Sequence, residues 1–229
     1  MTVSAAVDRR RAALALLSIT VAYNALEGAV AAWSGIAAGS LALLAFGGDS
    51  AIEIAAALAV TWRFSVPDGP AAARAEERAL RVIGATFLLL AAAVIAESCL
   101  SLAGRAAAET SVPGIALAAV SFATMPALSL AKTWTAARGN LPALAAEARE
   151  TLACWFLSVT LFAGLLANAL AGWWWLDAAT ALALTPWLIR EGLDDLRGEP
   201  EKDRPCFCRT CLFGFRDCQP PDGCEPACC

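Results

Sequence analysis

The chain has 229 residues, of which 59% are hydrophobic and 17% are charged, and its formal net charge is −4. A soluble domain carries about a quarter charged residues, whereas here the charges cluster between apolar runs of the roughly 20 residues that cross a bilayer core. This pattern argues against a buried soluble helical bundle. The absence of a basic patch with interleaved aromatic residues argues against nucleic-acid binding.

Six transmembrane helices are predicted along the chain, so the predicted fold class is all-α. They cover residues 12–36, 40–62, 82–103, 112–130, 141–170 and 173–189. The predicted organisation is a cytoplasmic N-terminus, a six-helix transmembrane domain and a cytoplasmic cysteine-rich tail, over residues 1–11, 12–193 and 194–229.

The basic residues predict how these helices are oriented. Cytoplasmic loops carry an excess of Arg and Lys, and six spans leave only Arg105 on the outer side. Both termini are therefore expected in the cytoplasm, as in a multi-pass protein of the cell membrane. The cytoplasmic side would carry Arg9, Arg10, Arg11, Arg63, Arg74, Arg78, Arg81, Lys132, Arg138, Arg190, Arg197 and Lys202.

The N-terminal arginines, the apolar run after them and the small residues at 28–31 also fit a signal peptide. The run is long for that role and is interrupted by Asn24 and Glu27. A retained first span is therefore the favoured interpretation.

Ionisable side chains within the predicted spans are the strongest functional signal. Each costs roughly 2.5–3.5 kcal/mol at the bilayer centre on insertion scales, so each is a candidate functional residue. Glu27 and Glu97 are expected near the outer surface, where they would line an access path or extend toward the headgroups. The full set is Glu27, Asp49, Glu53, Glu97, Glu147, Arg149 and Glu150.

Two pairs of candidate ligands are each spaced four residues apart on antiparallel helices. Asp49 and Glu53 share one face of the second helix, and Glu150 and Cys154 share one face of the fifth. A rise of about 1.5 Å per residue places Asp49 level with Cys154, and Glu53 level with Glu150, near mid-bilayer. Such ligands suit a tetrahedral divalent transition metal. Alternatively, the acids face separate water-filled clefts or pair with Arg149 and stabilise the bundle.

Two sequence segments resemble a known transporter family. Residues 39–53, G-S-L-A-L-L-A-F-G-G-D-S-A-I-E, resemble the second transmembrane helix of cation diffusion facilitators, and residues 146–154, A-E-A-R-E-T-L-A-C, are similar to that family's fifth helix. The resemblance implies a six-helix domain that exports zinc, cadmium or a similar cation from the cytoplasm, usually in exchange for protons. It also implies a central metal site formed here by Asp49, Glu53, Glu150 and Cys154.

The chain departs from the family pattern in two respects. Glu150 stands where the fifth helix of the family usually has histidine, and Glu53 and Cys154 stand where the two motifs usually end in aspartate. The chain contains no histidine. About 36 residues follow Leu193, too few for the family's cytoplasmic domain. Any homodimer is therefore expected to form through the membrane helices.

Seven of the nine cysteines lie in the last 24 residues, with the spacing C-x-C-x2-C-x6-C-x5-C-x3-C-C. In a reducing cytoplasm such thiolates favour zinc, copper(I) or similar soft ions, and the spacing does not match a zinc ribbon. A flexible metal-binding tail is favoured over an iron–sulfur cluster, a palmitoylated segment or an inert tail. The cysteines are Cys206, Cys208, Cys211, Cys218, Cys224, Cys228 and Cys229.

The sequence thus predicts a heavy-metal cation transporter in the lipid bilayer, without a resident cofactor. The alternative is a non-transporting membrane protein that binds or senses metal with its tail. An enzyme is disfavoured, because no Ser/His/Asp or Cys/His set can form without histidine. Three carboxylates and a thiol at the bilayer centre cannot all be ionised without a cation, so a metal is expected to displace protons there.

Overall fold

The computed structural model describes residues 3–38, 41–67, 69–104 and 112–197, and these residues form six α-helices. This confirms the predicted all-α fold and the predicted number of helices. Arg105 and all seven tail cysteines lie outside the described residues. The helices are α1 (Val3–Ala38), α2 (Leu41–Ser65), α3 (Pro70–Gly104), α4 (Val112–Gly139), α5 (Pro142–Ala171) and α6 (Leu176–Arg197).

Four of the described helices, α1, α2, α3 and α5, are long and apolar enough to cross a membrane. Their apolar stretches are Arg9–Ala37, Leu44–Ser65, Pro70–Gly104 and Pro142–Asn168. Of the other two helices, α6 ends in a charged segment, Arg190–Arg197, and α4 contains one interior lysine, Lys132.

Four helices extend well beyond the spans predicted from the sequence. Helix α1 begins at Val3, α3 begins at Pro70, α4 continues to Gly139 and α6 continues to Arg197. The extensions are rich in Ala, Arg, Leu and Glu, which favour helix even where the sequence is not apolar. Proline suits the first helical position of α3, and α4 ends just before Asn140, whose φ of 49° is left-handed.

Helices α1, α2, α5 and α4 pack in that order around a common centre, and α3 and α6 form a pair that contacts α2 and α5. The α3–α6 pair depends on a close backbone approach. A Cβ atom added at Gly84 would lie 2.6 Å from the carbonyl oxygen of Gly192. Small residues that let helix backbones approach closely are typical of membrane helix packing.

At one end of the bundle, polar contacts join the C-terminal part of one helix to the N-terminal part of another. Arg63 of α2 pairs with Glu76 of α3 at 2.5 Å, and the second Glu76 oxygen accepts the Ala143 amide of α5 at 2.7 Å. Arg9 of α1 donates to the carbonyl of Arg138 in the last turn of α4. Arg149, near the start of α5, pairs with Asp195, near the end of α6, so all six helices alternate in direction along the chain, as the predicted topology requires.

Pro126 interrupts the hydrogen-bond ladder inside α4. Because proline has no amide hydrogen, the carbonyl of Phe122 loses its usual partner four residues later. The Trp155 indole of α5 donates to that carbonyl at 3.1 Å. The α4–α5 contact thus satisfies a backbone carbonyl that the proline leaves without its helical partner.

Trp155→Phe should lower the free energy of unfolding by about 0.5–1.5 kcal/mol, because it removes one hydrogen bond between the two helices. Thermal unfolding in detergent would measure the loss. Trp134→Phe is the matched control, since Trp134 is an exposed tryptophan on α4. Equal stability of the two variants would contradict this role of Trp155.

Candidate functional site

One face of α5 carries a row of buried polar side chains. Glu147, Glu150, Thr151 and Cys154 recur every three or four residues and therefore lie on the same side of the helix. The two glutamates and the threonine are completely buried, and Cys154 is 3% exposed. Because apolar helices surround them, these groups must find partners within the protein.

Asp49 of α2 and Cys154 of α5 are in direct contact. The Cys154 thiol donates to Asp49 Oδ1 across a distance of 3.3 Å. The predicted match in depth between these two residues is therefore present in the fold. Their contact joins a carboxylate and a thiol on two antiparallel helices, which is a donor pair suited to zinc or cadmium.

Glu53 is fully buried and contacts the same face of α5 one turn away. Its Oε1 atom accepts a hydrogen bond of 2.6 Å from the Thr151 hydroxyl, whereas Oε2 has no hydrogen-bond partner within the described structure. The sequence predicted that Glu53 would be level with Glu150. Its contact is with the next residue, Thr151, which lies at the same height on α5.

Lys132 was predicted to lie in a cytoplasmic loop, and this prediction is wrong. It lies inside α4 with no exposed surface, and its Nζ atom contacts Glu147 Oε1 at 2.6 Å. The same ammonium donates to Thr151 Oγ1 at 2.7 Å and lies 3.8 Å from Glu53 Oε1. The helix continues through this segment, so packing against α5, rather than the bilayer surface, determines where the lysine lies.

Glu150 is the most unusual group of the centre. It is fully buried, and neither carboxylate oxygen has a hydrogen-bond partner among the residues that the structure describes. The Thr86 hydroxyl lies close to this carboxylate but donates its hydrogen to the carbonyl of Ile83. An ionised carboxylate without a partner is very costly in an apolar interior, so this group requires either a proton or a bound cation.

Glu27 contributes a separate polar cluster between α1, α2 and α4. It is 4% exposed, so it does not extend toward the headgroups. Its carboxylate accepts hydrogen bonds from Tyr23 at 3.0 Å, from Ser50 at 3.1 Å and from Ser121. Three hydroxyl donors stabilise this buried acid, and Ser50, next to Asp49 in the sequence, links the cluster to the centre.

Arg149 forms ion pairs with α6. It contacts Glu191 at 2.6 Å and Asp195 at 2.9 Å. Lys132 is the cation that contacts the central acids, whereas Arg149 pairs with acids of α6. The Arg149 pairs instead join α5 to the α3–α6 pair.

The four predicted membrane ligands lie around one centre but do not form a single ligand set. Asp49 contacts Cys154, Glu53 contacts Thr151 and Lys132, and Glu150 stands apart. Within residues 3–38, 41–67, 69–104 and 112–197, no group of three or more Cys, Asp or Glu side chains is placed to hold a metal ion. A metal at this centre would require the helices or side chains to move closer together.

Neither Lys132 nor Thr151 is among the site residues predicted from the sequence. A signal for Lys132 was present, since no helix-breaking residue occurs between Pro126 and Gly139, and a helix through this segment carries the lysine into the bundle. Thr151 follows Glu150 directly and lies four residues after Glu147, which also places it on the polar face.

Comparisons with known proteins give no independent assignment. No protein-family model matches the chain, and a search of curated proteins finds no match.

Proposed function

We propose that this chain is a membrane carrier that exports a divalent or soft heavy-metal cation, with zinc and cadmium as the leading substrates. The observation that carries this proposal is Glu150, a buried carboxylate that has no hydrogen-bond partner among the described residues and lies one turn from the Asp49–Cys154 contact. Buried acids are retained in membrane helices mainly where ions or protons pass. Asp49, Glu53, Glu150 and Cys154 are the proposed ligands of the transported ion.

The proposed topology has six spans with both termini in the cytoplasm. Four apolar helices and the alternating direction of all six support it. Helices α4 and α6 are proposed to cross inside the bundle, where buried partners neutralise their polar residues. The resemblance of α2 and α5 to cation diffusion facilitators supports placing the chain in or near that family.

The proposed transport cycle exchanges metal for protons. Without a metal, Glu150 has no neutralising partner and is proposed to carry a proton. Only deprotonated groups bind metal, so metal binding from the cytoplasm would release protons from the centre. Protons from the opposite side would then restore the empty state and favour metal release there.

Flux in proteoliposomes tests the carrier proposal. Vesicles that contain the full-length protein and a metal-sensitive dye should take up zinc or cadmium faster than protein-free vesicles. A panel that includes cobalt and manganese would define the substrate. Absence of flux for every metal, with the protein correctly inserted, would reject a carrier.

A second candidate function is metal binding or sensing without transport. Two observations support this second candidate: the described residues form no complete ligand set, and the tail contains seven cysteines. In this case the tail is the receptor and the membrane helices transmit its state.

Deletion of residues 205–229 tests the role of the tail in a carrier. If the protein is a carrier, the tail supplies or buffers metal, so the deletion should reduce flux at low metal and leave maximal flux unchanged. The measurement is flux against metal concentration at matched protein content. Complete loss of flux would show that the tail takes part in transport itself.

A further inference from the structure

Lys132 occupies a position that a substrate cation would be expected to fill. Its ammonium lies between three helices, where it contacts Glu147 at 2.6 Å, Thr151 at 2.7 Å and Glu53 of α2 at 3.8 Å. All four side chains are completely buried. The ammonium therefore interacts directly with one of the proposed metal ligands.

The three contacts are unequal. The short contact to Glu147 and the longer one to Glu53 show that the ammonium is held mainly on the α5 side of the centre. Within the described helices, Glu53 Oε2 and Glu147 Oε2 both lack hydrogen-bond partners, so each carboxylate can accept another interaction. Glu147 could thus hold the ammonium alone if Glu53 bound another cation.

A metal ion and the Lys132 ammonium cannot both remain close to Glu53 without strong repulsion. Like charges a few ångströms apart repel strongly in a protein interior, and the repulsion doubles for a divalent ion. Metal binding at Glu53 therefore requires the ammonium to move toward Glu147.

We propose that Lys132 is a tethered competitor of the transported cation. In the metal-free state its ammonium partly neutralises Glu53, and an incoming metal displaces it onto Glu147. On the return step, the ammonium approaches Glu53 again and helps to expel the metal. This inference rests on the proposed role of Glu53 as a metal ligand and adds a specific positioning role for Lys132.

Cadmium binding to the full-length protein tests this competition. Isothermal titration with cadmium chloride in detergent should show that Lys132→Gln binds cadmium about tenfold more tightly or better, because the competing charge is gone. Lys132→Arg keeps the charge and should retain the wild-type affinity. Adding Glu53→Gln to Lys132→Gln should abolish the gain, which separates the central site from the tail cysteines.

A second variant guards against misfolding of Lys132→Gln. Lys132→Gln/Glu147→Gln removes both members of the shorter ion pair, so only Glu53 loses its neighbouring charge, and it should show the same tighter binding. Unchanged cadmium affinity in whichever of the two variants folds would overturn the proposal. Tighter binding by Lys132→Gln in a protein without flux would support the competition at Glu53 and reject the carrier. Flux without tighter binding would support the carrier and reject the competition.

Discussion

Asp49→Ala and Glu150→Ala are each expected to reduce metal flux in proteoliposomes to the level of protein-free vesicles. Asp49 is the partner of Cys154, and Glu150 is a buried carboxylate without a hydrogen-bond partner in the part of the chain that the structure describes. Loss of an outer-shell partner alone costs about 10- to 100-fold in metal affinity, and loss of a direct ligand should cost at least as much.

Two variants serve as controls for this expectation. Glu77→Ala removes an exposed carboxylate of α3, which pairs with Arg81 on the same helix, and should leave flux close to wild type. Cys99→Ala removes an exposed cysteine and is the matched control for Cys154→Ala, which removes a buried one. Wild-type flux in Asp49→Ala or Glu150→Ala would show that these acids only stabilise the bundle.

Glu147→Leu is expected to lower the free energy of unfolding by about 3 kcal/mol. Removing one partner of a buried ion pair costs roughly 3–5 kcal/mol, because the remaining charge is left buried without compensation. The lower value is expected here, since Lys132 keeps its contacts with Thr151 and Glu53. Thermal and chemical unfolding in detergent would measure the loss.

The double variant Lys132→Met/Glu147→Leu should recover much of this stability. Replacement of a whole buried ion pair by apolar side chains is often neutral or stabilising, unlike removal of one partner. Arg81→Met/Glu77→Leu is a suitable control, because it removes an exposed ion pair within one helix. A double variant as unstable as Glu147→Leu would show that the pair contributes something other than charge compensation.

Much of the fold could be predicted from the sequence because its signals are local. Apolar runs mark each helix, and the four-residue spacing of Asp49 and Glu53, and of Glu150 and Cys154, places each pair on one helix face. Combined with the opposite direction of α2 and α5, this spacing was enough to predict that Asp49 lies level with Cys154.

The role of Lys132 could not be predicted because it depends on tertiary packing. A lysine near Trp134 and Arg138 resembles an interfacial anchor in the sequence, and its ion-pair partner Glu147 lies on the next helix. Only the extension of α4 to Gly139 carries the ammonium into the centre. Hydropathy marks where the apolar run ends, whereas helix propensity and packing decide where the helix ends.

The central proposal is that metal and protons exchange at the carboxylates of α2 and α5. The most direct test records metal uptake and internal pH together in proteoliposomes that contain the full-length protein. If metal is exchanged for protons, protons should leave the vesicle in a fixed ratio to the zinc or cadmium that enters. Both fluxes should disappear in Glu150→Gln. Metal uptake that is independent of an imposed pH gradient, or unchanged in Glu150→Gln, would contradict this proposal.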